Sequence, residues 1–189
     1  MTTTSAEEHA GEASRSVDGD GARSRWALFG STAALVAITD QSSKAWVDAT
    51  FALAATGTVV PGYARPTPIV GDLVRIAKSY NDGGIFGLVG DSAPILGLIS
   101  IVVVGFIIVF QARQGTQGGP LLSLTLGLLL GGAIGNMADR LRLGYVVDFV
   151  DMGIGDFRWY TFNVADAAIS TAVVGLLAVS LLGDRLRGR

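Results

Sequence analysis

Four stretches of the chain stay apolar over the length that a membrane demands. They run roughly over 26–47, 92–112, 118–138 and 163–183. A hydrocarbon core about 30 Å thick is crossed by about 20 apolar helical residues. The pattern therefore predicts four membrane-spanning helices, with a domain over 26–183. Residues 1–25, rich in Ser, Gly, Ala and acids, are expected to form a disordered tail. Residues 184–189 form a short basic tail.

The first stretch also resembles a cleaved signal peptide, with Arg23 and Arg25 ahead of a short apolar run from Trp26 to Thr39. No clear small-x-small cleavage site follows. Instead Asp40 and Lys44 stand at i,i+4, with the acid on the favourable N-terminal side. The loop over 48–91 is too long for a plain connection. Its "TPIVGDLVRIAKSYN" carries β-prone residues in partial alternation and predicts one or two strands, a small sheet on the membrane surface. Gly127, Gly131 and Gly135 recur every four residues in the third stretch, a spacing that lets another helix approach closely.

Composition agrees with a membrane protein: the chain is 50% hydrophobic and 16% charged, with a mean hydropathy of +0.50. No basic stripe interleaved with aromatics points to nucleic acid. The absence of cysteine excludes disulfides, zinc–thiolate sites and a thiol nucleophile. The single histidine, His9, lies in the N-terminal tail, which argues against a histidine triad or a histidine metal site. No cofactor is expected. Arg23, Arg25, Arg113, Arg185, Arg187 and Arg189 place both termini in the cytoplasm by the positive-inside tendency. The loops 48–91 and 139–162 then face outward.

Polar residues gather at the outward ends: "DQSSK" at 40–44, "NDGGIFG" at 81–87, "GNMADR" at 135–140, "VVDF" at 146–149 and "FNVAD" at 162–166. From Ala167 to Leu182 the fourth stretch holds only 16 uncharged residues. That span must begin at or before Asn163, which puts Asp166 roughly 5 Å inside it. A carboxylate at such depth is a functional hypothesis by default. The bland readings are a cap, for which Asp166 stands three residues late if Asn163 opens the helix, a pairing with Arg140 or Lys44, or snorkelling. Asn163 and Asp166 share a face at i,i+3, as do Asn136, Asp139 and Arg140 at i,i+3 and i,i+4. Asp148 follows in an outer loop that can fold over the bundle mouth. From the residues alone both Asp139 and Asp148 remain partners for Asp166. A small transporter or channel would want polar residues along the depth of the spans, but the second and third are apolar in the middle. A structural subunit that docks a partner through its polar cluster is the other rival.

The ordered set "DQSSK", "NDGGIFG", "GGAIGNMADRLRLGYVVDFVD" and "FNVADAAI" resembles signal peptidase II, the lipoprotein (prolipoprotein) signal peptidase family of bacteria. The resemblance implies an all-α integral membrane fold with four transmembrane helices and a small extracytoplasmic β-cradle. It implies an aspartic peptidase of the bacterial cell membrane that cuts the signal peptide from a lipoprotein precursor, just before a lipid-modified cysteine. It places the catalytic dyad on Asp148 and Asp166, and lines the site with Asn81, Asn136, Arg140 and Asn163. Asp40, Lys44, Gly83, Phe86 and Asp139 are supporting motif residues. Gly84 and Ile85 stand where the family commonly has a small residue. The expected partners are prolipoproteins and membrane lipids, with no nucleic acid, and the chain is expected to be monomeric.

The chemistry suits such a dyad. Peptide hydrolysis without metal, serine or cysteine needs an activated water and a polarised carbonyl. Two carboxylates that share one proton supply both, because like charges a few Å apart cannot both ionise cheaply. The ionised member acts as base and the protonated one donates to the carbonyl oxygen.

Overall fold

Three of the four apolar stretches form helices long and apolar enough to cross a membrane: Ile95–Gln114, Gly119–Leu143 and Val164–Leu181. The computed structural model describes residues 4–54, 64–83, 93–115 and 119–187. The helices are α1 (Thr4–Thr50), α2 (Ala93–Phe110), α3 (Gly119–Leu143) and α4 (Val164–Arg187), and α2 runs on into a π-helical turn, Gln111–Gly115. The remaining apolar stretch is the middle of α1. Its uncharged run from Trp26 to Thr39 ends at Asp40 and Lys44, so by length and composition it falls short of a span. The count of four spans is thus not reproduced by these helices. Upstream, α1 reaches Thr4.

α3 is the central helix and packs against α1, α2 and α4. Its glycines make this possible. A Cβ on Gly131 would stand 2.6 Å from the Ala33 carbonyl oxygen of α1, and one on Gly132 2.6 Å from the Ala165 oxygen of α4. The approach of α1 at Gly131 is what the four-residue glycine spacing predicts, whereas the approach of α4 is at Gly132, outside that spacing. Phe29, Ala33, Ile107, Leu122, Leu126 and Leu130 form the core between these helices. By contrast Leu98, Val102 and Phe106 of α2 are 65–70% exposed. An apolar face turned outward fits a lipid surrounding rather than water.

Four antiparallel strands lie in the order β1-β2-β3-β4: β1 (Thr67–Val70), β2 (Val74–Asn81), β3 (Val146–Ile154) and β4 (Phe157–Arg158). The first two stand where the sequence pattern predicts them. The other two correct the reading of 139–162 as a loop. Val146 to Phe149 are all buried, so both faces of β3 are covered and the alternation that marks a half-exposed strand is missing. The sheet is pinned internally by Asp151, whose buried carboxylate accepts Arg75 Nη2 at 2.6 Å and Arg158 Nε at 2.9 Å. It is pinned to α1 by Asp48, which accepts Tyr80 Oη at 2.8 Å and Lys78 Nζ at 3.2 Å.

Candidate active site

α4 begins with a reciprocal cap. Asn163 precedes the helix, and its Oδ1 accepts the Asp166 backbone N–H at 2.9 Å, while Asp166 Oδ2 accepts the Asn163 N–H at 3.3 Å. This is the capping-box arrangement with Asn at the cap and Asp three residues on. It corrects the reading that Asp166 comes too late to cap: it caps from the third helical position. It also places Asp166 in the first turn of a helix that starts at Val164 rather than at or before Asn163. Asn136 of α3 donates its Nδ2 to the other oxygen of Asp166, Oδ1, at 2.8 Å.

Asn163 turns its own amide to the second carboxylate. Its Nδ2 reaches Asp148 Oδ1 at 2.7 Å, and Asn81 Nδ2 reaches Asp148 Oδ2 at 3.0 Å. Asp148 is a buried residue of β3, opposite Ser79 of β2, not a loop residue over the bundle mouth. Asn81 is itself held by an Asx-type turn, with its Oδ1 accepting the Gly83 N–H at 3.0 Å. Gly83 has φ +79°, a left-handed conformation open to glycine. Burial pushes the Asp148 carboxyl up to about 6. The nearby charge of Asp166 pushes the same way, while the Asn81 and Asn163 amides and the Lys44 charge pull against it. A carboxyl that holds its proton near neutrality, beside a second carboxylate, is equipped for acid–base chemistry.

Behind this pair lies an ionic cluster. Lys44 Nζ meets Asp40 Oδ2 at 2.8 Å, Asp139 Oδ2 at 2.9 Å and Asn136 Oδ1 at 2.9 Å, and all four residues are buried. The i,i+4 pairing of Asp40 and Lys44 stands as the spacing predicts. Gln41 was not singled out by the sequence reading, although it lies inside "DQSSK"; its Nε2 donates to Asp139 Oδ1 at 2.8 Å and to the Gly135 carbonyl at 3.1 Å.

Arg140 is not brought to either aspartate. Its Nη1 reaches the Asn136 carbonyl of its own helix at 3.4 Å, and its Nε is buried without a partner among the described residues. Phe86 lies outside the described residues. Asp148 also lines a cleft of about 590 Å³ shared with Asn81, Asp156, Trp159 and Tyr160. Among the described residues no group of three His, Cys, Asp or Glu side chains is arranged to hold a metal ion.

Residues 32–182 match the family model described as signal peptidase (SPase) II. The lipoprotein signal peptidase of Rhodopseudomonas palustris is 38% identical over 157 residues, covering 80% of this chain and 90% of that protein. The lipoprotein signal peptidase of Moorella thermoacetica is 39% identical over 122 residues, covering 65% and 78%. A bacterial membrane enzyme solved by the in meso method shares the fold, with a TM-score of 0.68 at 24% identity over 84% of this chain and 89% of that one.

Proposed function

The chain belongs to the signal peptidase II family, and from that premise we propose that it is an intramembrane aspartic endopeptidase which removes the signal peptide from lipid-modified bacterial prolipoproteins. The cut falls before the diacylglyceryl-cysteine. Asp148 and Asp166 are the catalytic dyad and share one proton. The ionised carboxylate draws a proton from water as the oxygen attacks the scissile carbonyl, and the protonated one donates to the carbonyl oxygen. A tetrahedral intermediate then collapses with proton transfer to the leaving amine, and no covalent enzyme intermediate forms. Apparent proton affinities belong to the pair rather than to either residue.

The observation that carries this reading is the single residue that bonds both carboxylates: Asn163 donates its side-chain Nδ2 to Asp148 and its backbone N–H to Asp166. Asn81 and Asn136 complete the donors on the outer oxygens. The same reading takes α1 as a fourth span whose polar turn, Asp40 to Lys44, is sheltered inside the bundle. The termini then face the cytoplasm, and the sheet and dyad lie at the outer face. Lipid chains of the substrate would lie along the apolar flanks of the helices. The chain acts as a monomer, without a metal or cofactor.

The test compares two synthetic precursor peptides of one sequence, one carrying a diacylglyceryl-cysteine and one an unmodified cysteine, incubated with purified protein in lipid. Cleavage of the lipidated peptide alone supports the proposal. Equal cleavage of both, or of neither, removes it.

A further inference from the structure

Lys44 takes no part in the proton transfers above, yet its ammonium ties α1 to α3 beside the two aspartates. It is 3% exposed and offers three protons to three acceptors, on Asp40, Asp139 and Asn136. A buried ammonium so saturated has no donor left for a substrate. Each acceptor in turn holds a group beside the dyad. Asp40 Oδ1 accepts the N–H of Ala165, the residue before Asp166, at 2.9 Å. Asp139 Oδ2 accepts the N–H of Val147, the residue before Asp148, at 3.2 Å. Asn136 has its oxygen occupied by Lys44 and by Asn163 Nδ2, so its own Nδ2 is the group turned to Asp166.

We propose that Lys44 is the positioning residue of the dyad: by tying α1 to the start of α4, the start of β3 and the Asn136 amide, it sets the separation and mutual orientation of Asp148 and Asp166. The inference rests on the aspartic peptidase reading and deepens it. A bundle-stabilising ion pair could lie anywhere between α1 and α3. This one lies where both of its carboxylates also receive a backbone N–H from the residue preceding a dyad aspartate. Misplacement of reacting groups by about 1 Å can cost on the order of a hundredfold in rate, so the geometry has leverage on turnover beyond its effect on stability.

Two substitutions separate geometry from charge. Lys44→Arg keeps the cation, but its planar fork does not match three acceptors placed around one point. Lys44→Met removes the charge. The charged groups around the dyad are Asp40 and Lys44 on α1, Asp139 and Arg140 on α3, and the dyad itself. The Lys44 charge pulls against the raised proton affinity of Asp148, so the limb of the pH–rate profile that Asp148 contributes moves to higher pH in Lys44→Met and stays in place in Lys44→Arg.

The experiment measures kcat, KM and the pH profile of full-length wild type and both variants on the lipidated precursor peptide. For Lys44→Arg we expect a kcat lower by about tenfold or more with KM within about twofold of wild type. If Lys44→Arg fails to fold, Asp139→Asn replaces it. Its amide oxygen retains the Val147 N–H while the ion pair is lost, and the same fall in kcat is expected. A wild-type kcat in the folded variant, or a loss confined to KM, overturns the proposal. Should wild type itself leave the lipidated peptide uncut, the peptidase reading fails and the proposal with it. Wild-type cleavage with an unaffected variant overturns the positioning role alone.

Discussion

Asn163 and Asp166 hold each other at the first turn of α4: the asparagine oxygen takes the aspartate N–H at 2.9 Å and the carboxylate takes the asparagine N–H at 3.3 Å. The box leaves the Asn163 amide nitrogen free to reach Asp148 at 2.7 Å. One residue thus serves the helix through its oxygen and the second carboxylate through its nitrogen.

These two duties can be separated. Asn163→Ser keeps a capping oxygen and loses the amide, whereas Asn163→Ala loses both. The serine variant is expected to melt near wild type, and the alanine variant to lose about 1 kcal/mol or more, the usual worth of a cap. Both are expected to lose at least about tenfold in kcat, because Asp148 loses a donor and Asn136 loses a neighbour. Thermal unfolding and turnover, measured on the same preparations, check this.

The raised proton affinity of Asp148 has consequences for stability. Its carboxyl titrates at about 6 in the fold, against an ordinary value of 3.8. The native state therefore binds more protons than the unfolded chain between these values, and stability falls as pH rises from about 4 through 6. Asp148→Asn lacks this titration. Its stability relative to wild type is expected to improve by up to about 3 kcal/mol between pH 4 and pH 7. Denaturation in detergent at a series of pH values checks the sign. A limb of the wild-type pH–rate profile is expected near 6, as a property of the pair.

Gly135 faces the ionic cluster at no spare distance. A Cβ there would stand 2.5 Å from Asp40 Oδ2, and so push that carboxylate off Lys44 or off the N–H of Ala165. Gly135→Ala is expected to destabilise by about 1–3 kcal/mol and to lower activity with it. Gly105, which has nothing within 4 Å of its Cβ position, is the control: Gly105→Ala should be neutral or stabilising by about 0.5–1 kcal/mol. Melting temperatures of the two variants decide it.

Much of this was legible in the sequence because the signals were periodic or clustered. The apolar stretches around α2, α3 and α4 announced their helices, the glycine spacing of α3 announced close approach, and Asn81, Asn136, Asn163, Asp148 and Asp166 do come together through hydrogen bonds. Three features were not legible. β3 is buried on both faces over Val146–Phe149, so it offers no alternation. The capping box was hidden because Asn163 is apolar-flanked and reads as part of the helix it only precedes. Arg140 shares a helical face with Asn136 in sequence, but its guanidinium bonds the Asn136 carbonyl of its own helix and neither dyad aspartate. Spacing along one helix does not specify which neighbouring element its long side chains meet.

The central claim is that Asp148 and Asp166 together activate one water. It is tested most directly by turnover of a lipidated precursor peptide by purified wild type, Asp148→Asn and Asp166→Asn, with folding of each verified by circular dichroism. The account predicts cleavage before the lipidated cysteine by wild type, and loss of detectable cleavage in both folded variants. Near-normal turnover by either variant would contradict it.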